Sequence, residues 1–243
     1  MISNLFFRIF LFYVTAIVGI VTWFSTNGSV VAFVYILAFC WLMTLIGSVG
    51  FHRWLAHRSF EPTRHGRILL MIGMLIESFG RPLVSATVHR AHHSHPDQHG
   101  DPHSPRFLSF FEMLIGKYSD LKTLPPVRDI LRQSDVMWFD KHYWKLWVGF
   151  NLLVALIDWR LVLLICPIAF CKSWFMGQHV NYFAHSGKQC IPKNGNAFLI
   201  LFSGGEHLHA NHHQQPNNWR FDRDGSTPDL SAYLITLLKL RKV

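Results

Sequence analysis

From Ile9 to Phe51 the chain carries no Asp, Glu, Lys, Arg or His, and only Ser25-Thr26-Asn27-Gly28-Ser29 interrupts the apolar run. A spanning helix needs about 20 apolar residues, so this pattern predicts two membrane helices, over 5–24 and 30–50, joined by a short turn. A cleaved signal peptide fits less well, because the first apolar run is long and a second span follows it at once. A second hairpin is expected over 143–159 and 161–184, turning at Asp158-Trp159-Arg160, with Trp144, Trp147 and Trp159 placed as interfacial aromatics. Between the hairpins, Ile68 to Phe79 is apolar but too short to cross, and suits a helix lying in the interface. Leu230 to Leu240 reads the same way. With no internal repeat and no low-complexity linker, the chain is expected to form one domain over 1–243.

Charge gives this pattern a direction. Lys and Arg outnumber Asp and Glu by 23 to 14, and 19 of the 23 lie in 52–142 and 186–243. Basic residues concentrate in the cytoplasmic loops of membrane proteins. The segments 51–142 and 185–243, and both termini, are therefore expected on the cytoplasmic side of a bacterial inner membrane or the endoplasmic reticulum. No nucleic-acid recognition motif accompanies the basic excess, so no nucleic acid is expected as partner. Cys40, Cys166, Cys171 and Cys190 form no C-x-x-C pair and fix no redox compartment. Lys172 falls within the expected fourth span, and an intramembrane ionisable residue is a functional candidate. A snorkelling or bundle-facing side chain is the structural alternative.

Sixteen histidines remain, and their spacing is more informative than their number. His52 and His57 form H-x-x-x-x-H directly after the second expected span. His89, His92 and His93 form H-x-x-H-H, and His209, His212 and His213 repeat it. On a helix, residues three and four apart share a face, so each H-x-x-H-H directs at least two imidazoles to one place. Clustered neutral imidazole suits Fe, Cu, Zn or Ni. One tetrahedral zinc takes four ligands; eight candidates favour two metals.

These segments resemble a known family. Gly50-Phe51-His52-Arg53-Trp54-Leu55-Ala56-His57-Arg58-Ser59-Phe60, His89-Arg90-Ala91-His92-His93 and Gly205-Glu206-His207-Leu208-His209-Ala210-Asn211-His212-His213 look like the three histidine boxes of the membrane fatty acyl desaturases, in their acyl-CoA (stearoyl-CoA, delta-9) branch. Val180-Asn181-Tyr182-Phe183-Ala184-His185 is similar to the V-N-x-x-x-H segment of that branch, and Asp101-Pro102-His103 to the D-P-H that follows its second box. The resemblance implies an all-α integral membrane protein with four transmembrane helices in two hairpins and a cytoplasmic helical cap carrying a dimetal site. It implies two non-haem irons held by His52, His57, His89, His92, His93, His185, His209, His212 and His213, with Asn181 acting through a water. The implied reaction is the O2-dependent formation of a cis double bond in a long-chain fatty acyl thioester or acyl-lipid. Glu206, directly before the third box, is a candidate acceptor that orients a ligand imidazole.

The electron donor is expected to be a separate ferredoxin, cytochrome b5 or reductase, because the only His-Pro here, His95-Pro96-Asp97-Gln98, is not the H-P-G-G of a fused haem domain. An acidic donor suits the basic cytoplasmic face. Where relatives often carry Trp and an Arg-Asp pair before the second box, this chain has Ser85-Ala86-Thr87-Val88, so the acyl carrier and the double-bond position do not follow from the resemblance. The remaining histidines, His65, His95, His99, His103, His142, His179 and His207, fall outside the implied ligand set. A lipid hydroxylase or alkane monooxygenase of the same histidine-box kind is the neighbouring reading, and a metal transporter or haem carrier a more distant one.

Overall fold

Gly47 and Gly73 meet where two apolar helices approach backbone to backbone. A Cβ on Gly73 would lie 2.6 Å from the backbone nitrogen of Gly47, and one on Gly47 would lie 2.9 Å from the Gly73 carbonyl. Small residues permit such close packing between apolar helices, where van der Waals contact is the main attraction. The computed structural model describes residues 3–119, 125–185, 187, 190–196, 199–223, 225 and 227–242. Among them the only β feature is an isolated bridge, and the fold is all-helical.

Helices α1 (Ser3–Ser25) and α2 (Val30–Ser48) form the N-terminal hairpin, with Ser29 capping α2. A π-helical segment, Val49–Ala56, continues α2. Then come α3 (Arg64–Glu77) and α4 (Pro82–Ser94), followed by the short α5 (Phe110–Leu114) and α6 (Arg128–Leu131). The long α7 (Ser134–Ile157) leads through α8 (Trp159–Val162) into α9 (Ile165–His185). The chain ends with α10 (Ile200–Ser203), α11 (His209–Gln214) and α12 (Leu230–Leu237).

Three of these stretches are long and apolar enough to cross a membrane: Leu5–Ser25, Val30–Ala56 and Trp159–His185. They coincide with the first, second and fourth expected spans. The expected third span, 143–159, is the second half of α7 and its cap Asp158. Asp140, Lys141 and Lys145 keep α7 out of the apolar set. Asp140 is fully buried, pairs with Arg81 at 2.6 Å and accepts the Leu83 N–H at 2.9 Å. A carboxylate there complements the N-terminal end of α4.

The expected interfacial helix over 68–79 is largely α3, which packs along α2 instead of lying free on a surface. Leu70, Met74 and Ile76 are buried in that contact. At its end the chain turns by 87° into α4. Ser78 and Gly80 take positive φ there, and Pro82 opens α4. A left-handed C-cap followed by proline at a first helical position is a stop followed by a start. The turn swings α4 away from α3 toward the end of α2, so that the second histidine box meets the first. The C-terminal stretch 230–240 forms α12, with Ala232 and Ile235 buried and Leu237 exposed.

Replacing Gly73 by Val forces α2 and α3 apart and is expected to cost about 1–3 kcal/mol, read as a lower thermal midpoint in detergent. Gly149→Ala on α7 meets nothing within 4 Å and is expected to leave the midpoint unchanged or slightly raised. Equal midpoints for Gly73→Val and the parent would remove the close helix approach from the account of stability.

Candidate metal centre

An α-helix cannot bring residues five apart onto one face, yet His52 and His57 both reach the same place. The π-helical segment is the reason: the His57 N–H donates to the His52 carbonyl at 3.1 Å, an i to i+5 bond. Arg90, beside His89 in the second box, secures the end of that segment. Its guanidinium donates to the carbonyls of Leu55 at 2.7 Å and Ala56 at 2.8 Å, and pairs with Asp129 at 2.7 Å. Carbonyls at a helix end have no partner within the helix, and this arginine supplies one from α4.

All nine histidines of the implied ligand set come together, in two groups. His52, His57, His89, His93 and His212 form one; His92, His185, His209 and His213 form the other; the ligand atoms within each lie within 4.8 Å of one another. Each H-x-x-H-H box is divided between the groups. Along α4, His89 and His93 face the first group and His92 the second. Along α11 the division is reversed, with His209 and His213 in the second group and His212 in the first. The groups adjoin, with the His93 and His213 rings stacked at 4.3 Å between centroids.

The imidazoles converge through Nε2. His57 and His89 approach at 2.8 Å, His212 and His93 at 3.0 Å, His52 and His212 at 3.1 Å, and His185 and His209 at 2.7 Å. Three of the rings are oriented from behind by carboxylates. His52 Nδ1 lies 2.6 Å from Glu206, His92 Nδ1 2.8 Å from Asp101 and His185 Nδ1 2.6 Å from Asp97. An ionised carboxylate only accepts, so each of these Nδ1 atoms carries the proton and each Nε2 presents a lone pair to the interior. The Nε2 of His92 is buried and has no hydrogen-bond partner. Lone pairs facing one another in this way suit a cation between them, and metal-ligating histidines commonly donate their other N–H to a carboxylate.

Burial disfavours the charged form of several of these rings. His57, His209 and His212 are held well below the ordinary imidazole range, first by desolvation and then by neighbouring imidazoles. His213 is pushed down to about 3 by burial and by His185. Burial alone would raise the Glu206 carboxyl, but His52 and Arg53 outweigh it and carry it down to about 2.

Several functional residues were not visible in the pattern of the sequence. Arg53, fully buried, joins the first box to the third and to the C-terminal helix. It donates to Asp229 at 2.7 and 3.0 Å, to Glu206 at 3.3 Å and to the Trp219 carbonyl at 2.7 Å, and stacks over Phe221. Asp97 and Asp101 sit in the loop that follows the second box and are buried there. The D-P-H segment was the available signal: Asp101 orients His92, and His103, outside the ligand set, is buried and stacked on His92 at 4.6 Å. His95 and His99 of the same loop are exposed, as is His65; His207 is buried and bonded to Ser203. Asn181 lies one turn before His185 on α9 and lines a cavity of about 110 Å³ with His52, His89, His209 and Glu206.

No protein-family model matches the chain. Among curated proteins it is 27% identical over 221 residues to delta-9 acyl-lipid desaturase 2 of Arabidopsis thaliana, covering 79% of this chain and 67% of that protein. It is 28% identical over 193 residues to stearoyl-CoA desaturase 4 of Mus musculus, covering 71% of this chain and 55% of that protein. A shorter match, 45% identical over 67 residues, covers 27% of this chain and 21% of the hex-5-enoyl-[acyl-carrier protein] acetylenase of Moorena producens. The chain is thus similar to fatty acid desaturases over most of its length, and it carries apolar helices long enough to cross a membrane and a convergent histidine cluster.

Proposed function

We propose that the chain forms a cis double bond in a long-chain fatty acyl thioester, an acyl-CoA at the delta-9 position, using O2 and electrons from a separate ferredoxin, cytochrome b5 or reductase. The observation that carries this reading is the convergence of nine imidazoles into two adjoining groups. Names of relatives that act at the delta-9 position support the regiochemistry. Relatives named for lipid, coenzyme A and carrier-protein substrates leave the carrier to experiment.

In this reading His52, His57, His89, His93 and His212 hold one iron, and His92, His185, His209 and His213, with Asn181 through a water, hold the other. Two adjacent irons supply a redox centre at which O2 is reduced jointly. The protein's own contribution is orientation and exclusion of water. Glu206, Asp101 and Asp97 fix the tautomers of His52, His92 and His185. Phe51, Phe79 and Val180 line the cavity next to the histidines and give an acyl chain an apolar wall.

Four spans in two hairpins, with both termini, the residues 51–142 and the residues 185–243 on the cytoplasmic side, complete the proposal. The strongly exposed Leu152, Leu153, Leu156 and Ile157 on α7 support its second half as a lipid-facing span.

Mass spectrometry of fatty-acid methyl esters from a host expressing the chain tests the reaction. The expected product has lost two hydrogens relative to its precursor, and His93→Ala is expected to lower it at least about a hundredfold with the protein still in the membrane. A product that gains one oxygen instead would make the enzyme a hydroxylase. His99→Ala is exposed and expected to leave turnover within about twofold.

Metal content is a second measurement. Purified protein is expected to hold about two irons per chain, one for each histidine group, and Glu206→Gln to weaken iron retention about 10–100-fold. Iron content and affinity unchanged in Glu206→Gln would deny that carboxylate its orienting role.

Acid sensitivity follows from the neutral imidazoles. His57, His209, His212 and His213 bind protons less readily folded than unfolded. The unfolded state therefore gains protons as pH falls below about 6.5, and stability present above that value is lost progressively below it. The thermal midpoint of iron-free protein is expected to fall between about pH 7.5 and about pH 5; a flat profile would contradict the buried neutral cluster.

A further inference from the structure

The cavity beside the histidines continues into the membrane region and changes character there. Thr44 lies eight residues before His52 along α2 and the π-helical segment that continues it, and Lys172 two and a half turns before Asn181 on α9. At 5.4 Å per turn, both are at least about 11 Å deeper than the histidine layer. Between the two levels the wall is apolar, with Leu45, Phe79, Met176 and Val180 lining it. At the deep end stand Thr44, Glu77, Lys172 and Ser173.

Glu77 is buried at the end of α3, beside the Ser173 hydroxyl. Its carboxylate is wedged against α2: a Cβ on Gly47 would lie 2.5 Å from Oε2. Lys172 stands in the middle of the Trp159–His185 span and lines the same cavity. Its charge senses Glu77 and Glu206, yet among the described residues the ammonium has no ion pair within 4.0 Å and no hydrogen-bond partner. Ionisable side chains inside a membrane are expensive, and they pair with one another or mark a substrate path. Here they do not pair directly, and they do line a path.

We propose that the acyl chain accepted by this cavity carries a hydroxyl group near its distal end, held between Lys172 and Glu77. This inference rests on the acyl-desaturase reading above. A hydroxyl accepts from the ammonium and donates to the carboxylate, so it satisfies both at once. A plain methyl terminus leaves the Lys172 ammonium without a partner in an apolar enclosure, and sites built to hydrogen-bond a substrate group discriminate strongly against analogues that lack it. A terminal carboxylate would meet Lys172 but would also meet Glu77, a like charge. The apolar stretch between the histidines and the polar end sets the separation between the reacting carbons and the hydroxyl.

Binding tests this directly. Plain and ω-hydroxyacyl thioesters of matched length, from octanoyl to octadecanoyl, compete with a fluorescent fatty acid for purified iron-loaded protein in detergent. At one length the ω-hydroxyacyl form is expected to bind at least about tenfold more tightly than its plain partner. Lys172→Met is expected to bring the two within about twofold, mainly by weakening the hydroxyacyl form. Plain chains binding as tightly as their hydroxyl partners at every length in the wild type would overturn the inference whether or not the variant folds. If neither series displaces the probe, the acyl reading itself falls, and this inference with it.

Discussion

The hydrogen bonds that run outward from imidazole Nδ1 to buried carboxylates hold the histidine cluster in its form. Nine imidazoles at this density have nowhere to put nine positive charges. A neutral ring has one proton and two nitrogens, and which nitrogen faces inward is undetermined until something outside the ring takes the proton. Glu206, Asp101 and Asp97 decide it for one ring of the first group and two of the second. The cluster stores its donor capacity as inward lone pairs, stable only in a dry enclosure and only when the rings behind it are fixed.

Glu206 needs a position of its own, and an arginine next to a box histidine helps to provide it, while a second such arginine fixes the backbone. Arg53 follows His52 and points the opposite way, into Glu206 and Asp229, so that the first box, the third box and α12 close around one guanidinium. Arg90 follows His89 and ends the π-helical segment while pairing with Asp129. In both boxes the histidine faces the centre and its neighbour ties the backbone to a distant element. A bidentate guanidinium suits this work because its fork meets two acceptors in fixed geometry.

Much of this was legible in the residues. The charge-free run from Ile9 to Phe51 could only be apolar helices, and the repeated H-x-x-H-H could hardly be coincidence, so the spanning hairpin and the histidine cluster followed from periodicity and spacing. The limits were equally physical. A spacing of five, as in His52 and His57, makes sense only on a π turn, and nothing local announces one. α7 is half polar, because its first turns carry Asp140 to cap α4 in a tertiary contact that no pattern along α7 itself reveals. Asp97 and Asp229 act across many residues of chain, and a loop aspartate that orients an imidazole reads the same as one that faces water. The 87° turn between α3 and α4 was spelled by Ser78, Gly80 and Pro82, but the purpose of the turn, bringing the second box to the first, lay in the packing of α3 on α2.

The division of each H-x-x-H-H box between the two groups has its own outcome for how such a centre is built. Because α4 and α11 each supply both groups, the separation of the two sites is fixed within single helices, by the one-residue step from His92 to His93 and from His212 to His213. It does not depend on the docking of one rigid body against another. A shift of either helix moves histidines of both groups in concert, so one group cannot be tuned while the other stays as it was. The two groups are therefore set as a pair by the same two helices.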